Sequence, residues 1–202
     1  MLTEKLKPFK LTLSNIHILI TAFKSEQQLT VYVKKNTDSK YTRFGSYDIC
    51  STSGVLGPKR KSGDRQVPEG FYYIERFNPV SDYFLSLGLN YPNAADKYRA
   101  GTNDPGSDIF IHGKCVTIGC MPLTDEKIKE LYILAIQAHQ NGQTRIPVYV
   151  FPFKFNSLIG ERSVENYRDN KPLLKFWSNL KTGYDKFYAN QQELNVGVNG
   201  RG

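Results

Sequence analysis

The sequence predicts a mainly β fold of the α+β class, with a sheet first and helices towards the C-terminus. Three observations predict it. The 202 residues include 13 Tyr, 12 Phe, 16 Gly and 10 Pro, a composition that suits strands and turns. Leu29, Val31 and Val33 alternate with Thr, Tyr and Lys, which is the period of a half-buried strand. The clearest helical period begins only after Thr124.

The first half of the chain reads as strands separated by loops. NIHILITAF and QQLTVYVKK predict a hairpin with its turn at residues 24–27. A third strand is expected near residues 47–52, and GFYYIERF predicts a further strand at residues 70–77. Between them, residues 54–70 hold four Gly and two Pro, which predicts a long surface loop.

The second half adds helices to the pattern. Residues 91–106 are rich in Asn, Asp, Gly and Pro without periodicity, so we expect a second long loop there. DIFIHG predicts a short strand with Phe110 and His112 on one face. Thr124 is a suitable N-cap for a helix that ends at Asn141 and Gly142. The strand IPVYVFPF and helices near residues 164–167 and 173–189 complete the predicted order.

The charge and the hydropathy of the chain indicate which kinds of partner it is expected to bind. The net charge of +8 and the pI near 9.3 favour an anionic partner. The densest basic cluster, GPKRKSGDR, predicts a solvated loop, because no zinc-finger spacing or aromatic RNA-binding motif accompanies it; no nucleic acid partner is expected. No apolar run approaches the roughly 20 residues that span a bilayer. LTLSNIHILITAF contains Ser, Asn and His, so no signal segment is predicted.

Residues 107–123, SDIFIHGKCVTIGCMPL, hold one of the three histidines and two of the three cysteines. Metal binding, disulfide formation or a cysteine nucleophile with a histidine base would each explain this concentration. A zinc site would use His112, Cys115 and Cys120, but a structural site needs a fourth ligand, and no CxxC or HxxxH supplies it. We therefore expect neither a metal nor another cofactor.

The odd number of cysteines leaves at least one thiol without a partner in the chain. We expect Cys50 and Cys115 to be buried thiols that pack as small apolar side chains. A disulfide between them is the alternative if the protein is exported.

A cysteine–histidine centre for acyl transfer fits the cluster best. Cys120 lies eight residues after His112, a distance of about 27 Å in an extended chain, so contact requires the chain to double back. Gly113 and Gly119 would supply backbone freedom at the two ends of that return. The imidazole would take the thiol proton and later give it to a leaving amine. The Gly119 and Cys120 amides would form the oxyanion hole.

These residues resemble the L,D-transpeptidase catalytic domain family, also called the YkuD-type domain. That family places a strand-end His-Gly before a Ser-x-Gly-Cys motif, matched here by IHG at residues 111–113 and TIGC at 117–120. GDRQVPEGFYYI at residues 63–74 follows the family's G-D-x-x-T-P-E-G-x-Y-x-I pattern. YPN, GCMPLTD and FWSNLKTGYDKFY resemble its YafK-like branch. The main family usually has His two places before the cysteine and Arg soon after it, where this chain has Ile118 and Met-Pro-Leu.

The resemblance implies a β-sandwich-like catalytic domain over residues 1–155, with a long helix after the nucleophile. It implies a helical C-terminal extension over residues 156–202 that packs on this domain. The substrate would be the peptidoglycan stem peptide, in which Cys120 attacks the carbonyl on the L-centre of a diamino acid to form a thioester. His112 would be the base, oriented by the Gly113 carbonyl where other triads have a carboxylate.

The resemblance leaves the fate of the acyl group open. Transfer to an amine would make a transpeptidase, whereas transfer to water would make a carboxypeptidase or an amidase that releases a wall-linked lipoprotein. A non-catalytic wall-binding module is a further alternative.

Thr117, Arg60 and Tyr91 are the candidate substrate-binding residues. Arg60 could meet a stem-peptide carboxylate bidentately, although a solvent-facing arginine is the plainer interpretation. Tyr91 likewise has the plainer interpretation of a packing residue. Because the wall lies outside the cytoplasmic membrane, the resemblance also implies a periplasmic or otherwise exported protein.

Overall fold

The computed structural model describes residues 2–198. The strands of this part are β1 (Ile16–Phe23), β2 (Gln28–Lys35), β3 (Thr42–Asp48), β4 (Gly70–Ser81), β5 (Phe84–Leu89), β6 (Phe110–His112), β7 (Met121–Pro122) and β8 (Ile146–Phe151). The helices are α1 (Leu2–Leu6), α2 (Ala94–Ala100), α3 (Asp125–Gln140), α4 (Leu158–Asn166) and α5 (Lys171–Asn190).

These strands form one curled sheet in the order β3-β2-β1-β8-β4-β5-β6-β7. The pairs β1–β8 and β6–β7 are parallel, and the remaining neighbours are antiparallel. Strand β8 is the last in sequence but lies between β1 and β4 at the centre of the sheet. The two shortest strands, β6 and β7, therefore lie together at one edge.

Apolar cores cover both faces of the sheet. Because successive side chains of a strand point to opposite faces, β1 sends Ile18 and Ile20 to one core and Leu19 and Phe23 to the other. The apolar side of α3 covers the first face, and that of α5, with Trp177, covers the second. Burial on both faces explains why β1 and β8 read as nearly continuous apolar runs in the sequence.

The predicted α+β fold class is confirmed: the structure has one curled sheet, a long helix after residue 120 and a helical C-terminal extension. The β1–β2 hairpin and the long loop before β4 are also confirmed. Helix α3 begins directly after Thr124, as predicted. Helix α4 starts several residues before the predicted position, because the Ser157 side chain caps it by accepting the Gly160 N–H.

Three local predictions are wrong. Strand β3 ends at Asp48 rather than covering residues 47–52, since the Cys50 amide turns away and donates to the Pro122 carbonyl at 3.0 Å. Helix α2 lies inside the second predicted loop and starts with a capping box formed by Asn93 and Asp96. Strand β5, FLSLGL, is missing from the predicted order, because Ser and Gly interrupt its apolar pattern.

The proposed domain division at residue 155 stays a prediction. Helices α4 and α5 follow that point, and α5 packs on the sheet. Residues 199–202, the end of the predicted extension, lie outside the described residues. Within residues 2–198, no helix has the length and apolar character to cross a membrane.

Candidate active site

The sheet edge brings His112 and Cys120 to neighbouring strands. His112 is the last residue of β6, and Cys120 immediately precedes β7. The two strands pair in parallel, with Ile111 opposite Met121 and His112 opposite Pro122. The chain therefore doubles back between the two residues, as a contact between their side chains requires.

Both side chains line one open groove of about 500 Å³. The end of β4 and the start of β5 form one wall, and the loop before Cys120 forms the other. The remaining described lining residues are Asn78, Val80, Ser81, Asp82, Tyr83, Ser86, Asp108, Phe110, Val116, Thr117 and Ile118. No lysine or arginine is among the described residues that line this groove.

The imidazole of His112 is held in one tautomer. Its Nδ1 lies 2.6 Å from the Gly113 carbonyl oxygen, which only accepts hydrogen bonds, so Nδ1 carries the proton and Nε2 keeps its lone pair. Burial lowers the pKa of His112, and the hydrogen bond to the Gly113 carbonyl opposes this only in part. The ring is therefore neutral near pH 7 and has the form that a general base requires.

Cys120 is a free and partly exposed thiol. Its Sγ accepts the Phe110 N–H at 3.4 Å and directs its own proton to the Asp108 carbonyl at 3.6 Å. Burial raises the pKa of Cys120, which the Phe110 N–H and the Lys59 ammonium only partly offset. The resting thiol is thus protonated, and it needs a base before it can act as a nucleophile.

The amides predicted to form the oxyanion hole are hydrogen-bonded within the loop. Thr117 Oγ1 accepts the N–H of Cys120 at 2.8 Å and that of Gly119 at 3.2 Å, and it donates to the Cys120 carbonyl at 2.8 Å. In this structure the Thr117 hydroxyl therefore orders the backbone around the nucleophile. An incoming carbonyl oxygen would have to displace it to reach the two amides.

Both glycines of the return are required, for different reasons. Gly119 has φ +138, a conformation that favours glycine, and a Cβ there would lie 3.1 Å from the Gln66 carbonyl oxygen. At Gly113 the constraint is space, because a Cβ would lie 2.6 Å from Asp125 Oδ1 and 2.9 Å from the Tyr83 carbonyl oxygen. The loop between these glycines packs closely on its neighbours at both ends.

Cys50 and Cys115 form a disulfide, so the prediction of two buried free thiols is wrong. The alternative of a bridge is confirmed. The Cys50 amide is bonded to the Pro122 carbonyl, which brings this cysteine against β7 and beside the loop that carries Cys115. The zinc alternative loses a ligand, because a bridged Cys115 has no thiolate. Among residues 2–198 no group of three or more His, Cys, Asp or Glu side chains could hold a metal ion.

Two of the predicted substrate contacts lie elsewhere. Arg60 stacks on Phe176, with its Nη1 3.6 Å from Asp96 Oδ1, and it lines cavities formed with α2 and α5. Tyr91 is only 3 % exposed, and its hydroxyl donates to the Pro105 carbonyl at 2.8 Å. Neither lines a groove beside Cys120, so the prediction that they contact the substrate there is corrected.

Glu69, the acidic residue of the PEG segment, connects three segments of the chain by hydrogen bonds. Its buried carboxylate accepts hydrogen bonds from Lys24 Nζ, the Gly57 amide and Trp177 Nε1 at 3.0, 2.7 and 2.8 Å. These bonds join β1, the long loop and α5. Within the motif that carries the sequence resemblance, Glu69 therefore has a structural role.

Sequence reasoning missed Tyr83 and Asp108. The Tyr83 ring lies against the His112 ring, with centroids 4.7 Å apart, and the Asp108 carbonyl accepts from the Cys120 thiol. Tyr83 belongs to the turn between β4 and β5, and it went unrecognised because β5 itself was not predicted. The Asp108 contact is made by the backbone, so its residue type gave no signal.

Comparison with known proteins identifies the family of the chain. The family model of the L,D-transpeptidase catalytic domain, YkuD, matches residues 17–150. The chain belongs to this family. A curated relative from Escherichia coli K12, named "Putative L,D-transpeptidase YafK", is 36% identical over 199 residues, which are 96% of this chain and 76% of the relative. The protein of the same name from E. coli O157:H7 gives the same values.

The fold is also that of a solved relative. The helical cell shape determining protein Pgp2 from Campylobacter jejuni matches 76% of this chain with a TM-score of 0.53 and 21% identity. The match spans 56% of the Pgp2 chain. At this identity the likeness concerns the fold alone.

Proposed function

We propose that the protein catalyses cysteine-dependent acyl transfer on peptidoglycan stem peptides. The observation that carries the proposal is the shared open groove of His112 and Cys120, with Nδ1 of the imidazole fixed on the Gly113 carbonyl and Nε2 left as a base. Family membership supports the reaction class, and the geometry supports the roles proposed for the individual residues.

The first half of the reaction forms a thioester. His112 Nε2 takes the Cys120 proton, and Sγ attacks the carbonyl carbon on the L-centre of the diamino acid. The C–N bond to the next residue then breaks, and the imidazolium returns the proton to the departing amine. The Gly119 and Cys120 amides would stabilise the tetrahedral oxyanion once the Thr117 hydroxyl turns away.

The second half releases the acyl group to an acceptor. Cys120 also lines a second groove of about 240 Å³, whose wall is formed largely by residues 51–56. Two grooves that share Cys120 support a reaction with a donor and an acceptor. An amine acceptor attacks the thioester carbon, loses a proton to Nε2, and regenerates the thiol as the C–S bond breaks.

The charge of the His112 groove suits an amine-bearing substrate. Asp82 and Asp108 line it, and its described lining contains no basic side chain. Arg76 beside the groove already pairs with Asp108 at 3.0 Å, so a diamino acid with a free ammonium group would meet mainly the Asp82 carboxylate. A substrate carboxylate would find no basic side chain among the described residues that line the groove. This agrees with the absence of arginine after the nucleophile, where Met121 and Leu123 are buried.

Hydrolysis of the same thioester is the second candidate function. Without an arginine after Cys120, the site lacks a feature of the main family, and water could serve as the acceptor. The products would be those of an L,D-carboxypeptidase, or of an amidase that releases a wall-linked lipoprotein. A non-catalytic murein-binding module would keep Cys120 as an unreactive thiol, with its proton on the Asp108 carbonyl as in this structure.

The disulfide supports a periplasmic or otherwise exported location. Disulfides persist in oxidising compartments and are rare in a reducing cytosol, so the Cys50–Cys115 bridge favours export. The net charge of +8 would help to retain the protein on an anionic wall polymer.

Mass spectrometry after incubation with stem tetrapeptide or crosslinked wall fragments tests the proposal. We expect an acyl adduct on Cys120 that is absent from the Cys120→Ala variant. Product analysis with and without an added amine then distinguishes crosslinking from hydrolysis. Binding of the wall fragments without any adduct would support the non-catalytic module and reject the enzyme.

A further inference from the structure

The turn between β4 and β5 packs directly on the proposed base. The Tyr83 ring lies 4.7 Å from the His112 ring, centroid to centroid, at an interplanar angle of 43°. His112 is 2 % exposed, whereas Tyr83 is 46 % exposed and forms part of the groove wall. One face of Tyr83 therefore shields the imidazole while the rest of the ring faces the groove.

The backbone of the same turn holds the residue that orients the imidazole. The Gly113 amide donates to the Tyr83 carbonyl at 3.0 Å, while the Gly113 carbonyl accepts from His112 Nδ1. Lys114 Nζ donates to the Asp82 carbonyl at 2.6 Å. The turn and the His-Gly pair thus contact each other at two points. The Tyr83 ring contacts the His112 ring, and the Tyr83 carbonyl accepts the Gly113 N–H.

The Tyr83 ring covers part of the buried imidazole. Burial lowers the pKa of His112, and Tyr83 is one of the side chains that pack on this ring. Other charged or titratable groups lie near the site on several elements. They are Asp82 on the same turn, Arg76 on β4, Asp108 before β6, Lys59 on the long loop, Lys114 and Cys120 on the return loop, and Asp125 at the start of α3.

We propose that Tyr83 is a positioning residue for the reaction. Its ring limits the orientations that the His112 imidazole can take, so that Nε2 stays available to accept the Cys120 proton. The proposal rests on the assignment of Cys120 and His112 as nucleophile and base. It adds that the β4–β5 turn, which lies outside both sequence motifs, helps to position the base.

The test measures alkylation of Cys120 by iodoacetamide against pH, which needs no wall substrate. Where His112 accepts the thiol proton, the rate has a plateau that begins near the pKa of the imidazole, below its ordinary value of about 6.5. In Tyr83→Ala we expect the plateau to fall about three- to tenfold, the range of a lost aromatic contact. We also expect the acid limb to move upward by about half a pH unit as water reaches the imidazole.

Matched variants distinguish the effect of the Tyr83 hydroxyl from the effect of its ring. Tyr83→Phe keeps the ring and should restore most of the alkylation rate and the position of the acid limb. Tyr98→Ala, which removes an exposed tyrosine on α2 outside both grooves at Cys120, is the control for loss of a surface ring. Tyr83→Leu replaces Tyr83→Ala if thermal unfolding shows that the alanine variant does not fold.

A double-mutant cycle with His112→Ala decides between outcomes. If Tyr83 acts through the imidazole, Tyr83→Ala has no further effect on alkylation in the His112→Ala background. An equal fall in both backgrounds, or no change with Tyr83→Ala or its leucine replacement, overturns the positioning role. An alkylation profile unaffected by His112→Ala itself would instead overturn the assignment of the base and hence the proposed function.

Discussion

Strands β1 and β8, at the centre of the sheet, are buried along almost their whole length. At one edge of the sheet, β6 and β7 contribute only three and two residues. The centre keeps its shape by apolar packing on both faces. The edge depends on a disulfide and on side-chain contacts with the backbone, such as those of Thr117 and Asp125. Stability and reactivity should therefore respond to substitutions in different regions.

Trp177→Ala should have the largest effect on the stable region. Trp177 is 1 % exposed, packs on Phe153 and Tyr167, and donates to Glu69. We expect the free energy of unfolding to fall by about 3–5 kcal/mol, measured by urea denaturation. Trp177→Phe is the matched control, since it keeps an aromatic ring but not the hydrogen bond. A loss below about 1 kcal/mol for the alanine variant would show that α5 adds little to the core.

Removal of the disulfide should affect both regions. The bridge closes a loop between cysteines 65 residues apart, so Cys50→Ser/Cys115→Ser should lose about 2–4 kcal/mol of stability. Because Cys115 lies in the return loop, we also expect slower alkylation of Cys120, in contrast to Trp177→Ala. Mild reduction of the wild-type protein should reproduce the slower rate, and re-oxidation should reverse it. Unchanged alkylation would mean that the bridge does not order the site.

Arg60→Gln should have the smallest effect. Arg60 is partly exposed, and its pairing with the buried Asp96 is long at 3.6 Å, so we expect a loss of stability of about 1 kcal/mol. Acyl transfer on a stem tetrapeptide should match that of Arg43→Gln, a variant of an exposed arginine on β3. A clear loss of acyl transfer in Arg60→Gln alone would restore it as a substrate contact.

The sequence could predict the regions whose geometry follows from local pattern. Alternation identified the β1–β2 hairpin, a threonine before the helical period identified the start of α3, and short motifs identified His112 and Cys120. Those motifs place both residues because the return loop is short and bounded by glycines.

The missed features depend on contacts between distant segments. Tyr83 meets His112 from a turn 29 positions earlier in the chain, and Cys50 meets Cys115 only because its amide bonds to β7. Arg60 was misplaced because charge alone does not reveal which side of a long loop faces the groove. Asn93 and Asp96 did form a readable capping box, so α2 could have been found in the sequence.

The rate of acylation of Cys120 by a stem tetrapeptide, followed by mass spectrometry in a single turnover, tests the central claim most directly. If His112 takes the thiol proton, His112→Gln should slow acylation by about 10²–10⁴-fold. His139→Gln, an exposed histidine on α3, should leave the rate unchanged. Equal acylation rates in the wild type and His112→Gln would contradict the account.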